Sequence, residues 1–406
     1  MLPFSPPHID QAIIDEVVAA LKSGWITTGP RTKKFEQLLS AYNGNPNTLC
    51  LNSATAGLEI ILRWFGVGPG DEVIVPAYTY SATANVVMHT GATPVFCDTN
   101  LADFNINPSC IQHLITSKTK VIMPVDFGGF PCDYNEINTL VSSPEIKKRF
   151  IAKGENQEKL GRILVLSDAA HSIGARYNGK MTGTLTDISV FSFHAVKNLT
   201  TAEGGAIALN LPTPFDNKAV YDYLCIATLH GQNKDALAKM QKGNWKYDII
   251  EPGYKCNMTD IMAAIGLVEL DRYESFTLKR RREIFDLYTN RLKNCDWAEI
   301  PPYQTEIKTS SYHLYPLRIM GISEPERDAI MQLIFDKDIS VNVHFIPVPM
   351  MKFYKEQGHS ITNYPVTYYN YSREISLPVY VDLSDEQVNL VLDAVIEAVS
   401  KLISSK

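Results

Sequence analysis

The feature that most constrains the fold of this chain is a series of seven short apolar segments, separated by stretches with helical or loop character. Most of these segments are apolar at every position instead of alternating, which is typical of strands covered on both faces. Strands that alternate with helices indicate βαβ units and a mainly parallel sheet, hence an α/β fold. The segments are residues 48–51, 72–75, 94–97, 121–125, 163–166, 188–193 and 206–209.

A chain of 406 residues is long enough for one large core and a second lobe. The character of the sequence changes near residue 255, after a stretch (230–253) that has the composition of a mobile connection. This change predicts a large domain over residues 1–255, with an N-terminal arm, and a smaller α+β domain over residues 256–406. Four further helices are predicted: one over 9–22, one that Thr259 caps, a following one that ends near 292, and one that begins at the capping box Ser384–Gln387. Two further strands are predicted over 312–319 and 340–345.

The composition argues against several classes of protein. The net charge is -6, and the basic run at 279–282 looks like a solvated helix face, so nucleic-acid binding is not expected. No apolar run approaches the roughly 18 residues of a membrane span, and no export signal opens the chain. The seven cysteines include no C-x-x-C pair, and no histidines show metal-site spacing, so neither disulfides nor a metal is expected. We therefore expect a cytoplasmic protein that is not attached to a membrane.

Lys197 is the first candidate for chemistry. It follows a predicted buried strand and stands among small and hydroxyl side chains. Partial burial lowers the pKa of an amine, which favours Schiff-base formation with a carbonyl group. An isolated lysine here would be interpreted as a surface residue, but the neighbours of Lys197 form a set.

Three other features lie where ligands collect in an open α/β sheet, at the carboxyl ends of strands. Asp168 can keep a pyridine nitrogen protonated, although capping of the next turn is an equal alternative. The turn at residues 53–55 opens a helix and, together with Ser192, forms a candidate phosphate site. Tyr80 can stack on a flat ring, and a core or rim tyrosine is at least as compatible with its position.

Taken together, the chain resembles the DegT/DnrJ/StrS sugar aminotransferases, which are pyridoxal 5'-phosphate (PLP) enzymes of fold type I, the aspartate-aminotransferase fold. The resemblance covers nearly the whole chain. It implies a large domain with a mainly parallel seven-stranded sheet and a smaller C-terminal α+β domain. The motifs that carry it are Pro3-Phe-Ser-Pro-Pro7, Gly24-Trp-Ile-Thr-Thr-Gly-Pro30, Asn52-Ser-Ala-Thr55, Pro76-Ala-Tyr-Thr-Tyr80, Asp168-Ala-Ala-His171, Ser192-Phe-His-Ala-Val-Lys197, Glu203-Gly-Gly205, Gly253-Tyr-Lys-Cys-Asn-Met-Thr-Asp260 and Ser376-Leu-Pro378.

The resemblance implies a role for each residue by its position in these motifs. Lys197 would be the catalytic residue and would form the Schiff base with PLP, which alternates with its amino form, PMP. Asp168 would pair with the pyridinium nitrogen, and His171 would contact the phenolic oxygen of the cofactor. Tyr80 would stack on the ring. The phosphate would be held by Ala54 (through its backbone), Thr55 and Ser192.

The resemblance also implies a homodimer with shared active sites, because an Asn from the partner subunit completes the phosphate site in the family. In the corresponding loop of this chain, either Lys255 or Asn257 can take that role. The chain departs from many members of the family at three positions. It has Ala54 where they carry Gly, Cys256 where they carry an aromatic residue and Pro349 where they carry His.

Two residues remain candidates for substrate contact. His194 lies close to Lys197 in the sequence, although a histidine packed at a strand end is as plausible. Trp25 lies in the Gly24–Pro30 motif, where packing of the loop is the more plausible interpretation. Glu203 is interpreted as structural.

The implied reaction is transfer of an amino group, with glutamate as donor, to a keto sugar nucleotide. The run Thr200–Gly205 after Lys197 favours a 4-keto-6-deoxy or 4-keto pentose sugar linked to UDP, dTDP or GDP. Amination at C3 or of a keto-cyclitol remains an alternative within the family.

Two alternatives come from other classes of protein. A PLP-binding regulatory protein without activity is disfavoured, because Lys197, Asp168 and Ser192 are all retained. A nicotinamide-dependent oxidoreductase is disfavoured because the glycine cluster at residues 66–70 follows a predicted helix and precedes a strand, the wrong order for a pyrophosphate loop.

Overall fold

The computed structural model describes residues 1–233 and 246–403 of the chain. Its strands are β1 (Asn47–Leu51), β2 (Glu72–Pro76), β3 (Thr93–Cys97), β4 (Thr119–Ile122), β5 (Leu164–Asp168), β6 (Arg176–Tyr177), β7 (Lys180–Met181), β8 (Ile188–Ser192), β9 (Gly205–Leu209), β10 (Ala298–Glu299), β11 (Lys308–Thr309), β12 (Tyr315–Ile319) and β13 (Glu374–Leu377).

The α-helices are α1 (Gln11–Lys22), α2 (Pro30–Asn43), α3 (Ala54–Trp64), α4 (Ser81–His89), α5 (Pro108–Leu114), α6 (Tyr134–Ser142), α7 (Pro144–Arg149), α8 (Glu155–Leu160), α9 (Asn217–Ala227), α10 (Asp260–Asp271), α11 (Lys279–Leu292), α12 (Glu324–Phe335), α13 (Lys352–Glu356), α14 (Pro365–Tyr371) and α15 (Asp385–Ile403). A π-helical segment, Tyr273–Leu278, leads into α11, and 3-10 turns cover Phe127–Gly129, Val348–Met350 and Ile361–Asn363. Within the described residues, no helix has the length and apolar character to cross a membrane.

The main sheet contains all seven predicted segments, in the order β1-β9-β8-β5-β4-β2-β3. Strands β8, β5, β4, β2 and β3 are parallel neighbours, whereas β9 runs antiparallel to both β1 and β8. Strand β1 therefore has the same direction as the parallel set. The prediction of a mainly parallel seven-stranded sheet is confirmed, as is the fold class.

The strands of this sheet are buried on both faces, which explains their continuous apolar sequences. In β5, Leu164 and Leu166 pack into one hydrophobic cluster, whereas Val165 between them packs into another on the opposite face. A further cluster joins residues of the main sheet, such as Phe191, to residues of the C-terminal part, such as Tyr315. A second, three-stranded antiparallel sheet (β10-β12-β13) lies in this C-terminal part. The exact domain boundary at residue 255 stays a prediction.

Several helix starts follow from capping side chains. Thr259 accepts a hydrogen bond from the backbone N–H of Met262 at 3.3 Å and caps α10, as predicted. Ser384 and Gln387 exchange side-chain and backbone hydrogen bonds at the start of α15, which is the predicted capping box. Helix α1 begins at Gln11 and not at residue 9, because Asp10 is its cap and accepts from Ile13 N–H at 3.1 Å.

Two predicted strands differ from the structure. The strand predicted over 312–319 begins only at Tyr315, because Tyr312 has a left-handed backbone (φ 58°) that a strand does not accommodate. The strand predicted over 340–345 is absent from the described residues, where a single bridge joins Asn342 to Ser376. The backbone N–H of His344 bonds to the side chain of Glu374 instead of to a neighbouring strand. The connection predicted over 230–253 lies partly outside the described residues.

Candidate active site

The carboxyl ends of β1, β2, β5 and β8 meet at one edge of the main sheet because these strands share a direction. Asp168 is the last residue of β5, and Ser192 is the last residue of β8. Tyr80 follows β2, and the turn at residues 53–55 follows β1. The structure therefore brings the sequence-predicted residues of four separate segments to one edge.

Lys197 lies in the loop after β8, in a turn closed by the hydrogen bond from its backbone N–H to the carbonyl of His194 at 2.9 Å. Its residue is half-buried, and its amine has no hydrogen-bond or ion-pair partner within the described part of the chain. Burial lowers the pKa of Lys197 to about 8, and the carboxylate of Asp168 partly opposes this shift. The amine is thus close to its titration point at neutral pH, which suits a nucleophile.

Asp168 is buried and held by two hydrogen bonds. The hydroxyl of Thr83, in the first turn of α4, donates to Oδ2 at 2.8 Å, and the backbone N–H of Ala170 donates to Oδ1 at 3.3 Å. Burial raises the pKa of Asp168, whereas Thr83, Ala170 and the charge of Lys197 lower it. A buried carboxylate that keeps hydrogen-bond capacity can accept a proton-bearing ring nitrogen. Sequence reasoning missed Thr83, whose only local signal was its position three residues after Tyr80.

The turn between β1 and α3 offers an anion site. Ser53 caps α3 by accepting from the backbone N–H three residues on at 3.1 Å, and the N–H groups of Ala54 and Thr55 stand in the first turn, where no intrahelical acceptor exists. Gly205 of β9 lies directly behind this turn: a Cβ on Gly205 would be 2.4 Å from the backbone nitrogen of Ala54. Glycine thus permits the close approach that places Ser192, which pairs with Gly205, beside the turn.

His171 is buried and electrically neutral. Burial, assisted by the charge of Lys197, holds its pKa well below the usual value for histidine. Its Nδ1 accepts from the backbone N–H of Gly128 at 3.2 Å, so the proton of the neutral ring is on Nε2. The ring of His313 packs on that of His171, with centroids 4.4 Å apart. His171 is therefore a hydrogen-bond donor through Nε2.

Tyr80 is 60% exposed, so it is a residue of the rim and not of the core. Its ring contacts that of Phe345 (centroids 5.7 Å apart), and Phe345 in turn packs against His171 at 5.9 Å. Phe345 is a further residue that sequence reasoning missed, because it reaches this edge from the C-terminal part of the chain. An exposed aromatic ring at this place has a free face for a planar ligand.

The loop around residue 255 runs beside the anion site of its own chain. The backbone N–H of Asn52 donates to the carbonyl of Cys256 at 2.8 Å. The amide of Asn257 donates to Thr28 Oγ1 at 2.5 Å, and its Oδ1 accepts from Lys255 Nζ. Asn257 is thus engaged within its own subunit, whereas the side chain of Lys255 is exposed.

The two candidates for substrate contact lie at the periphery. His194 has a side chain that is 48% exposed, and its Nε2 lies 3.6 Å from Oε1 of Glu203. Trp25 packs closely over Gly29, so that a Cβ on this glycine would be 3.0 Å from the indole ring. Packing is the contact that the structure shows for Trp25.

These residues fit PLP. The site combines an amine with no partner among the described residues (Lys197), a buried carboxylate (Asp168) and a neutral donor (His171). Beside them is an anion site whose close packing depends on the absence of a side chain at Gly205. Among the described residues, no group of three or more His, Cys, Asp or Glu side chains is arranged to hold a metal ion.

Comparisons with known proteins show the family of the chain. The model of the DegT/DnrJ/EryC1/StrS aminotransferase family matches residues 7–148 and 151–396. The chain belongs to this family. The spore coat polysaccharide biosynthesis protein SpsC of Bacillus subtilis (strain 168) is 36% identical over 400 residues, which are 97% of this chain and 96% of SpsC.

Solved structures agree with this assignment. Spr1654 from Streptococcus pneumoniae, a proposed sugar aminotransferase, has been solved in its PMP form and is similar with a TM-score of 0.95 and 47% identity, covering 99% of this chain and 100% of that one. Its PLP form is similar with a TM-score of 0.94. PseC from Helicobacter pylori, an aminotransferase involved in the biosynthesis of pseudoaminic acid, is 26% identical with a TM-score of 0.86, covering 98% of this chain and 99% of PseC. The predicted family, enzyme class and PLP cofactor are confirmed.

Proposed function

We propose that this aminotransferase moves the amino group of glutamate to the keto group of a sugar nucleotide, at C4 of a 4-keto-6-deoxy or 4-keto pentose sugar linked to UDP, dTDP or GDP. The observation that carries the chemistry is the half-buried amine of Lys197, which has a pKa of about 8 beside Asp168. A sugar substrate is supported by the functions of Spr1654, SpsC and PseC. Amination at C4 is supported by the Thr200–Gly205 run after Lys197.

The residues of the chain divide the work as follows. When bound, PLP supplies a delocalised system that accepts the electrons left on a carbon that loses its proton. Nζ of Lys197 takes the proton from the α-carbon of the donor and returns a proton to the sugar carbon, as a general base and then a general acid. Asp168 would hold the proton of the pyridine nitrogen, and Nε2–H of His171 would donate a hydrogen bond to the phenolic oxygen. Holding all groups in one geometry lowers the entropic part of the barrier.

The residues of the anion site, Ala54, Thr55 and Ser192, would hold the phosphate of the cofactor, and Tyr80 would pack against its ring. We further propose a homodimer in which Lys255 reaches the phosphate site of the partner subunit. Lys255 is preferred over Asn257 because its charged side chain is exposed, whereas Asn257 is bonded to Thr28 of its own chain.

We also propose that the enzyme works in the cytoplasm. All seven cysteines are free thiols, which fits a reducing compartment. The substrates proposed above are small polar molecules of such a compartment. Measuring the location of the tagged native protein by cell fractionation tests this proposal.

The decisive experiment uses purified protein, isotopically labelled glutamate and a panel of 3-keto and 4-keto sugar nucleotides and keto-cyclitols, with mass spectrometry and NMR of the products. We expect label in a 4-amino sugar nucleotide and loss of turnover in Lys197→Ala. A 3-amino product or an aminated cyclitol would replace the proposed substrate but keep the aminotransfer. Wild-type protein that fails to convert glutamate to 2-oxoglutarate in a single turnover would be a binding protein without activity.

A further inference from the structure

Three hydrogen-bonded side chains, Glu374, Ser376 and His344, connect the interior of the C-terminal part with the edge of the active site. Glu374 and Ser376 stand two residues apart in β13 and thus on one face of that strand. The hydroxyl of Ser376 lies 2.5 Å from Oε1 of Glu374 and 2.9 Å from Nδ1 of His344. The other carboxyl oxygen, Oε2, accepts the backbone N–H of His344 at 3.0 Å. Both oxygens of one buried carboxyl group are therefore directed to a single histidine.

His344 is close to the cofactor-binding residues. Its ring packs against Phe345 (centroids 5.1 Å apart), which itself contacts Tyr80 and His171. The ring of Phe4 stacks on the other side at 5.3 Å and 28°. The residue is half-buried, and its Nε2 has no partner within the described part of the chain. One ring nitrogen is thus tied to Ser376, and the other is available to a ligand.

At rest, the proton shared by Glu374, Ser376 and His344 is on the carboxyl group of Glu374. Burial raises the pKa of Glu374 to about 8, and hydrogen bonds and two nearby guanidinium groups limit the rise. Burial, together with the ammonium of Lys197, lowers the pKa of His344 to about 3. The charge that acts on His344 is that of Lys197, and those that act on Glu374 are Arg327 and Arg318. His344 in turn affects the pKa values of His171 and His313, and Glu374 affects that of Tyr78.

Because Ser376 has a single hydroxyl hydrogen, the hydrogen bonds between Glu374, Ser376 and His344 can run in two directions. In the first, Glu374 Oε1–H donates to Ser376 Oγ, Ser376 donates to Nδ1 of His344, and the imidazole proton is on Nε2. In the second, His344 Nδ1–H donates to Ser376, Ser376 donates to the ionised Glu374, and Nε2 is bare. The separations of 2.5 and 2.9 Å serve both directions, which differ by one proton lost from Nε2.

We propose that His344 is a second proton-handling residue of the active site, beside Lys197, and that Ser376 and Glu374 are positioning residues that supply and recover its proton. This role rests on the aminotransfer proposed above. When the keto oxygen of the sugar leaves as water, one hydrogen of that water comes from the incoming amino group and the other from Nε2, while the hydroxyl proton of Ser376 moves to Nδ1 and Glu374 gives its proton to Oγ. The nitrogen that replaces the oxygen keeps its second hydrogen, and its positive charge balances the ionised Glu374. No electrons are exchanged with an outside reagent. Because the donor half-reaction is the same sequence in reverse, attack of water there returns the proton to Glu374.

The protonation of Glu374 is tested without any substrate by infrared pH-difference spectra of the holoenzyme between about pH 6 and about pH 10. In the wild type we expect the carbonyl stretch of a buried carboxylic acid to disappear as pH passes about 8. This band should be missing at every pH in Glu374→Gln, which keeps the shape of the side chain. An unchanged band in Glu374→Gln, or no such band in the wild type, would overturn the proposal even if the enzyme proves to be an aminotransferase.

The kinetic test compares variants with nearly unchanged shape. Glu374→Gln and Ser376→Ala should each lower kcat by about 100-fold with KM changed by less than about threefold, because a proton transfer and not binding is lost. The double variant should lose no more than either single variant, because both interrupt one chain. Ser372→Ala is the matched control: this buried hydroxyl lies just before β13, and within the described residues it bonds to nothing except the carbonyl of Tyr369, at 3.3 Å. Additive losses, or an equal loss in Ser372→Ala, would indicate a merely structural role.

Discussion

Asp168 and Lys197 lie at the carboxyl ends of two adjacent parallel strands, and each shifts the pKa of the other. Asp168 ends β5, and Lys197 follows the end of β8. Burial raises the pKa of the carboxyl group and lowers that of the amine, whereas their mutual attraction works in the opposite direction for both. The strand order thus produces a buried carboxylate near a half-buried, reactive amine.

The first prediction concerns the pH dependence of covalent PLP capture by the apoprotein. Only the neutral amine of Lys197 attacks a carbonyl, and its pKa lies near 8 instead of 10.5. The rate of capture should therefore rise about tenfold per pH unit below 8 and level off above it. Stopped-flow absorbance measures this rate, with Lys197→Ala as the control for non-covalent binding.

Replacing Asp168 tests the direction in which its carboxylate shifts the pKa of Lys197. Its negative charge raises the pKa of Lys197. In Asp168→Asn the inflection should move to lower pH, even though the affinity for PLP falls. A shift to higher pH would contradict the electrostatic relationship between the two residues.

The second prediction concerns Thr83, which donates to Oδ2 of Asp168 at 2.8 Å and therefore accepts the hydrogen bond from the Thr79 hydroxyl at 2.8 Å. Removing the hydroxyl in Thr83→Val raises the pKa of Asp168, so a larger fraction of this carboxyl group is protonated and cannot pair with a protonated ring nitrogen. We expect kcat to fall about tenfold, which corresponds to the roughly 1.5 kcal/mol of a hydrogen bond to a charged group. Thr83→Ser keeps the donor and should stay close to wild type. Equal losses in both variants would mean that packing of the methyl group matters instead.

The third prediction concerns Gly205, where a Cβ would lie 2.4 Å from the backbone nitrogen of Ala54. In Gly205→Ala, β9 and the first turn of α3 must move apart. We expect an unfolding free energy lower by about 1–3 kcal/mol, and a loss of PLP affinity that exceeds this because the anion site opens. Denaturant unfolding and PLP titration measure the two effects. Gly68→Ala is the control, since the atom nearest to its Cβ would be 3.9 Å away, and it should change neither quantity appreciably.

The sequence predicted the parts of this molecule that depend on local patterns. Seven apolar segments correspond to the seven strands of the main sheet. Asp168 and Ser192 could be placed near strand ends because Asp168 follows the segment 163–166 by two residues and Ser192 is the last but one residue of the segment 188–193. The partners of these residues are set by packing between distant segments: Thr83 lies 85 residues from Asp168, and no periodicity connects them.

The C-terminal part shows why the remainder of the site was missed. His313 and His344 have no metal-site spacing in the sequence, and isolated histidines have no other local feature that indicates a role. The segment 340–345 has the apolar alternation of a strand, but its backbone is used by the side chain of Glu374. A side chain that replaces a strand partner leaves no signature in hydrophobic periodicity.

The fourth prediction tests whether Lys255 completes the active site of the partner subunit. Its exposed amine bonds within its own chain to Oδ1 of Asn257, so Lys255→Ala should weaken PLP binding about tenfold with little loss of stability. Asn257→Ala also removes the bond to Thr28 and should mainly lower stability.

Mixed dimers distinguish whether Lys255 acts in the active site of the partner subunit or in that of its own subunit. When Lys197→Ala and Lys255→Ala subunits are combined, a hybrid dimer contains one intact site if Lys255 acts across the interface, and activity at limiting PLP should recover above the average of the two parents. Activity that stays at that average, or a holoenzyme that is monomeric by light scattering, would place the complete site within one chain.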